Sequence, residues 1–276
     1  MKNKFLITLI FCFNFFLIGF SYAIDQFSFD VTEIEILENG NKIIGSNRGE
    51  ISTSDGILIE ADNFIYRKIE NVLKAKGNVI MNDTINNYKI YSDNITYEKK
   101  GERIFSKGKT KSEIKSRFII DSVDIIFLRD KKILSSDKNT SILDNDEQTF
   151  IELKEFSFSI DDKLLKGKKV LVNLDFNLPQ NDKFFFENGI FDFKKKSFLA
   201  KDVKINLKKN IFDNIKNDPR LKGVSAQSEN NITTIKKGVF TSCDDDTDCP
   251  PWVVTASEIK HDKNKKGAKI GNIHRK

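Results

Sequence analysis

A short pattern recurs along this chain with a change of side-chain parity inside it. IEADNFIY runs from Ile59 to Tyr66, IYSDNITY from Ile90 to Tyr97 and IDSVDIIF from Ile120 to Phe127, with starts 31 and 30 residues apart. Looser copies are IELKEFSF from Ile151, LKGKKVLV from Leu165, FLAKDVKI from Phe198 and VTASEIKH from Val254. Successive side chains of a strand point to opposite faces. Ile59 and Ala61 therefore share one face, while Phe64 and Tyr66 have the other parity. The same switch falls between Ser92 and Ile95, Ser122 and Ile125, Gly167 and Val170, and Ala200 and Val203. If all these apolar residues face one core, each strand must gain a residue or bend after the third position, as a bulge or corner does. That position is small in Ala61, Ser92, Ser122, Gly167, Ala200 and Ala256, with Leu153 the exception, which suits a place where two layers come close.

Companion strands follow the first two copies at a fixed distance, LKAKGNV from Leu73 and IFSKGKT from Ile104. A repeat of about 30 residues that supplies two bent strands predicts an all-β fold. It would be a stack of antiparallel bent strands, either a jelly roll or a wide β-solenoid. Gly77, Gly101 and Gly108, with Asp-Asn and Asn-Asn pairs along the chain, read as turns. LKKNIFDNIKNDPRL, Leu207 to Leu221, reads as a loop or a short helix.

Residues 1–23 place Lys2 and Lys4 before a 16-residue apolar run and end in Ser21-Tyr22-Ala23, the form of a secretory signal peptide cleaved after Ala23. An uncleaved anchor is the competing reading, but the run contains Asn14 and falls short of the roughly 20 residues of a spanning helix. The expected mature chain is one periplasmic domain over residues 24–276, with a following region starting after about residue 262. Cys12 leaves with the leader. In an oxidising compartment the default for Cys243 and Cys249 is a disulfide. The formal charge of +6 falls to +4 without Lys2 and Lys4, and mixed signs argue against nucleic acid as a partner.

An enzyme is not expected. The chain has 2 histidines and neither a nucleophile motif nor a Gly-rich phosphate loop, so no catalytic residue and no cofactor is assigned. Zinc on Cys243, Cys249, His261 and His274 misses the usual ligand spacing. Calcium on Asp244, Asp245, Asp246 and Asp248 lacks the Gly and the bidentate Glu of an EF-hand loop. No metal site is expected. The region Gly238 to Lys266 instead reads as a strand, a cysteine-bracketed turn stiffened by Pro250 and Pro251, and another bent strand, with Trp252 covering the end of the sheet. Open edges recruit strands, and FSFDVTEIEI, Phe27 to Ile36, is the expected docking edge.

The bent-strand repeat, the leader and the run NDPRLKGVSAQSENNITTIKKGVFTSCDDDTDCPPWVVTASEIKHD, Asn217 to Asp262, together resemble the organic-solvent-tolerance family. The resemblance is to the amino-terminal periplasmic domain of the lipopolysaccharide-assembly proteins of the outer membrane. It implies a V-shaped β jelly roll at the periplasmic face of the outer membrane, whose interior receives the acyl chains of lipopolysaccharide. It also implies a periplasmic jelly-roll bridge protein as partner, joined by edge-strand pairing, and an outer-membrane lipoprotein only where a carboxy-terminal barrel is present. No barrel is expected within residues 24–276, and a soluble carrier of the same superfamily or a lipid-free structural β-solenoid remains an alternative. Candidate groove residues are Ile59, Phe64, Ile90, Ile95, Ile120, Ile125, Phe156, Phe198 and Val203, with a closed core as the competing reading for each. The family also implies cysteine pairing between this domain and the barrel, beside the local Cys243–Cys249 bridge.

Overall fold

The computed structural model describes residues 27–178, 180–209, 218–243, 252–262 and 268–274, the last of these as backbone only. The leader, Asp244 to Asp248, Cys249, Pro250 and Pro251 lie outside the described residues. So do residues 210–217, the middle of the expected loop or helix, whose end at Arg220 and Leu221 is strand instead.

Twenty strands are present among the described residues. The first nine are β1 (Ser28–Leu37), β2 (Lys42–Ser52), β3 (Ile57–Ala61), β4 (Asn63–Arg67), β5 (Val72–Asp83), β6 (Tyr88–Glu98), β7 (Arg103–Ile114), β8 (Phe118–Val123) and β9 (Ile126–Leu128). Then come β10 (Ile133–Ser136), β11 (Thr140–Asp144), β12 (Thr149–Leu153), β13 (Glu155–Ser159), β14 (Leu164–Leu174), β15 (Lys183–Asp192) and β16 (Ser197–Asn206). The last are β17 (Arg220–Glu229), β18 (Ile232–Thr241), β19 (Val254–Asp262) and β20 (Ala268–His274).

All pairings are antiparallel, and the chain meanders from one neighbour to the next. β3 and β4 both pair with β2 on one side and β5 on the other, so they are two halves of one strand bent at Asp62. β8 with β9, β10 with β11, and β12 with β13 are bent strands of the same kind. The bends align into a crease, which divides the meander into two facing layers. Between β5 and β6 the register passes from Lys76 opposite Asn94 to Val79 opposite Ser92, two residues against one. β1 against β2 and β6 against β7 shift in the same way. These bulges restore the inward parity, so Ile59, Ala61, Phe64 and Tyr66 all point to one core and are all buried.

Two of the three glycines expected in turns sit elsewhere. Gly77 and Gly108 lie inside β5 and β7 at the crease, with φ of +82° and +88°. Only Gly101 lies in a turn, between β6 and β7. The bulges here place a left-handed residue at these positions, a conformation glycine adopts without the Cβ penalty. The copies also differ in phase: those starting at Ile59, Ile90, Ile120, Ile151 and Val254 cross the crease in one direction, those at Leu165 and Phe198 in the other.

One inward row of the first layer runs through directly opposed residues Phe29, Ile51, Ile59, Met81, Ile90, Ser112, Ile120, Ile142, Ile151 and Val172. Its counterpart in the second layer runs through Ile36, Ile43, Tyr66, Leu73, Tyr97, Ile104, Phe127, Leu134, Phe158 and Leu165. The layers meet through rings, with Tyr88 on Phe127 at 5.9 Å and Phe118 on Phe158 at 5.1 Å between centroids. Along the crease the small residues are buried, and their hydroxyls bond one another: Ser122 to Thr140 at 2.6 Å, and Thr110 to Ser106 at 2.7 Å. The Ile125 amide donates to Ser106 Oγ at 2.9 Å, which satisfies a backbone group that the bend removes from the ladder.

Candidate functional site

The apolar interior reaches the surface at β1. Among the described strands β1 pairs only with β2, so one of its sides is a free edge. Ile34 stands opposite Gly45 and Ile36 opposite Ile43, and those two continue the inward rows to Phe64 and Tyr66. Ile34 and Ile36 therefore point inward, yet they are 50% and 63% exposed. The cause is geometric. The first layer ends at the first half of β1 itself, so among the described strands none lies across from these two side chains. Beside them Phe29, Val31 and Ile43 are half-buried and packed on the core. Deeper in, Phe27 plugs the interior, its ring 5.0 Å from Tyr66 and 5.7 Å from Tyr97.

Of the nine groove candidates, Ile59, Phe64, Ile90, Ile95, Ile120, Ile125, Phe156 and Val203 are buried between the layers and Phe198 is half-buried. They lie on one continuous core with the β1 opening, and two of them also border open space at the surface: Phe156 edges a trough beside Gly167 and Gly189, and Ile125 and Phe156 edge a recess beside Ser106 and Ser136. Ile34 and Ile36 were missed as candidates, although the alternation EIEIL at Glu33 to Leu37 already carries them.

Opposite the crease, the turns of the two layers are clasped together. Asp55, in the turn after β2, and Asp83, at the end of β5, belong to the first layer; Lys99 and Glu102, between β6 and β7, and Arg129, after β9, belong to the second. Lys99 Nζ lies 2.7 Å from Asp55 and 2.8 Å from Glu102. Arg129 bonds Asp83 at 3.0 Å through Nε, Glu102 at 3.0 Å through Nη1, and the Asp55 carboxylate as well. Asp83 is 0% exposed. Burial works against ionisation of Asp55, but hydrogen bonds from Lys99, Thr53 and Arg129 outweigh it and hold the carboxyl well below the usual range. Burial likewise opposes the charge on Lys99, and bonds to Asp55, Glu102 and Tyr97 raise its pKa nonetheless. Farther along, Arg117 grips Asp144 through two bonds of 2.8 and 2.6 Å and stacks over Phe193, while Lys196 reaches Glu147 at 2.9 Å.

Cys243 carries a free thiol, and its proposed partner Cys249 lies outside the described residues, as does the side chain of His274. Among the described residues no group of three or more His, Cys, Asp or Glu is placed to hold a metal ion, and no helix is long and apolar enough to cross a membrane. The arrangement is an apolar interior packed between two layers, with inward-facing isoleucines exposed at one edge. No known protein family and no curated protein matches the chain.

Proposed function

We propose that this chain is a periplasmic receiver of lipopolysaccharide, a jelly roll of the organic-solvent-tolerance type that takes up acyl chains along its apolar interior and passes them toward the outer membrane. The observation that carries the reading is the pair of inward-facing, exposed isoleucines at the free edge. A partner jelly roll that adds a strand to β1 would extend both inward rows without a break, since added strands keep the two-residue alternation. Acyl chains would then meet Ile34 and Ile36 first and Phe29, Val31 and Ile43 next, while the phosphorylated sugars stay in water. Each methylene buried contributes about 0.8 kcal/mol, so a few methylenes on these residues suffice for transfer without trapping the lipid. In the same reading Cys243 and Cys249 form a local disulfide after export.

A structural module that carries no lipid is the rival reading, and the burial of eight groove candidates favours it. A titration of the purified mature chain with fluorescent lipopolysaccharide separates the two. The transport reading expects saturable binding that falls at least tenfold in Ile34→Glu/Ile36→Glu, with the unfolding midpoint unchanged. No binding by the parent chain, or equal binding by the variant, rejects it.

A further inference from the structure

A second apolar surface lies on the outside of the second layer, many strands away from β1. Ile190 of β15 and Leu199 of β16 stand directly opposite each other on the outward side, 40% and 55% exposed. Beside them Gly167, Gly189 and Ala200 follow one another across three adjacent strands. Their side chains are absent or a single inward methyl, so the backbone itself forms the floor of a trough. The trough has a volume of about 510 Å³, within the range of roughly 300–1,000 Å³ typical of small-molecule sites. Its rim is cationic. Lys166 stands opposite Ile190, and Lys201 lies two residues beyond Leu199 on the same face. Both are exposed, and neither enters an ion pair among the described residues, whereas Lys168 on the same rim is held by Glu155 at 2.9 Å.

We propose that this trough binds a free single-chain anionic amphiphile, a long-chain carboxylate whose alkyl chain lies on Ile190 and Leu199 and whose head pairs with Lys166 and Lys201. Two uncommitted ammonium groups beside a concave apolar strip complement one negative head and one tail. A flat anionic membrane is a poorer fit, because the surface is concave and Glu155 stands on its rim. The site is separate from the interior route and does not depend on it.

Calorimetric titration of the purified chain with sodium laurate, kept below its micelle concentration, tests the assignment. Expected is one saturable site that weakens at least tenfold in Leu199→Glu. The Lys166→Ala/Lys201→Ala double variant should weaken several-fold and lose most of the salt dependence. Ile36→Glu, at the interior opening, should leave laurate binding unchanged. Leu199 is more than half exposed, so Leu199→Glu folds as the parent does, and its unfolding midpoint checks this. The proposal is overturned if laurate does not bind, if Leu199→Glu binds it as well as the parent, if Ile36→Glu abolishes binding, if the uncharged dodecyl maltoside binds equally, or if only anionic vesicles are bound.

Discussion

Arg129 carries more of this structure than its place in a surface turn suggests. It compensates Asp83, a carboxylate with no exposure, and ties it to Asp55 and Glu102 across the mouth of the layers. Removing one partner of a buried pair leaves an uncompensated charge, so Arg129→Met should cost about 3–5 kcal/mol in urea unfolding. Lys236→Met, which breaks an exposed pair with Glu258, should cost under about 1 kcal/mol; equal losses would contradict the clasp. The clasp also sets a pH window. The Asp55 carboxyl is lowered from an ordinary 3.8, so its contribution is complete above that value and disappears as the pH falls below it. Lys99 is raised from 10.5, so its contribution is present below that value and is lost as the pH climbs through the higher folded pKa. Stability measured from pH 5 down to pH 2 should fall less steeply in Asp55→Asn than in the parent, and parallel curves would argue against the assignment. Tyr88 is the opposite case. Its hydroxyl is buried without a hydrogen-bond partner among the described residues, and burial first, then Asp161 and Asp83, push its pKa up to about 12. Tyr88→Phe should therefore be neutral or stabilising by up to about 1 kcal/mol, and a clear loss would mean the hydroxyl has a partner.

The bent strands were legible because parity is a strict rule. Ile59 and Phe64 differ by an odd number of residues, so one core could hold both only through an inserted residue, and the register shifts supply it. The glycines were not legible, since a turn and a bulge both ask for a left-handed residue and local sequence does not separate them. The structure does separate them. A Cβ at Gly77 would stand 2.5 Å from the Asp62 carboxylate, whereas Gly108 has nothing within 4 Å. Both require positive φ, so Gly108→Ala should cost about 1 kcal/mol from backbone strain alone and Gly77→Ala roughly 1–3 kcal/mol; the reverse order would contradict the crease geometry. The clasp was hidden for another reason. Arg129 and Asp55 are 74 residues apart, in turns that each read as ordinary polar punctuation.

The two layers are joined along the crease, clasped along the mouth and open at β1, where inward-facing side chains of the apolar interior are exposed. The sequence carried the inward alternation of Ile34 and Ile36, but their exposure follows from where the facing layer stops, which is a property of the assembled fold. That exposed pair is the point where the account of a lipid receiver stands or falls. The direct measurement places a photo-crosslinking amino acid at Ile36, at its outward neighbour Glu35, and at buried Ile95, in cells that make lipopolysaccharide. The account predicts lipopolysaccharide adducts at position 36, few at 95 and none at 35. Adducts at 35 as abundant as at 36, or none at any of the three, would contradict it.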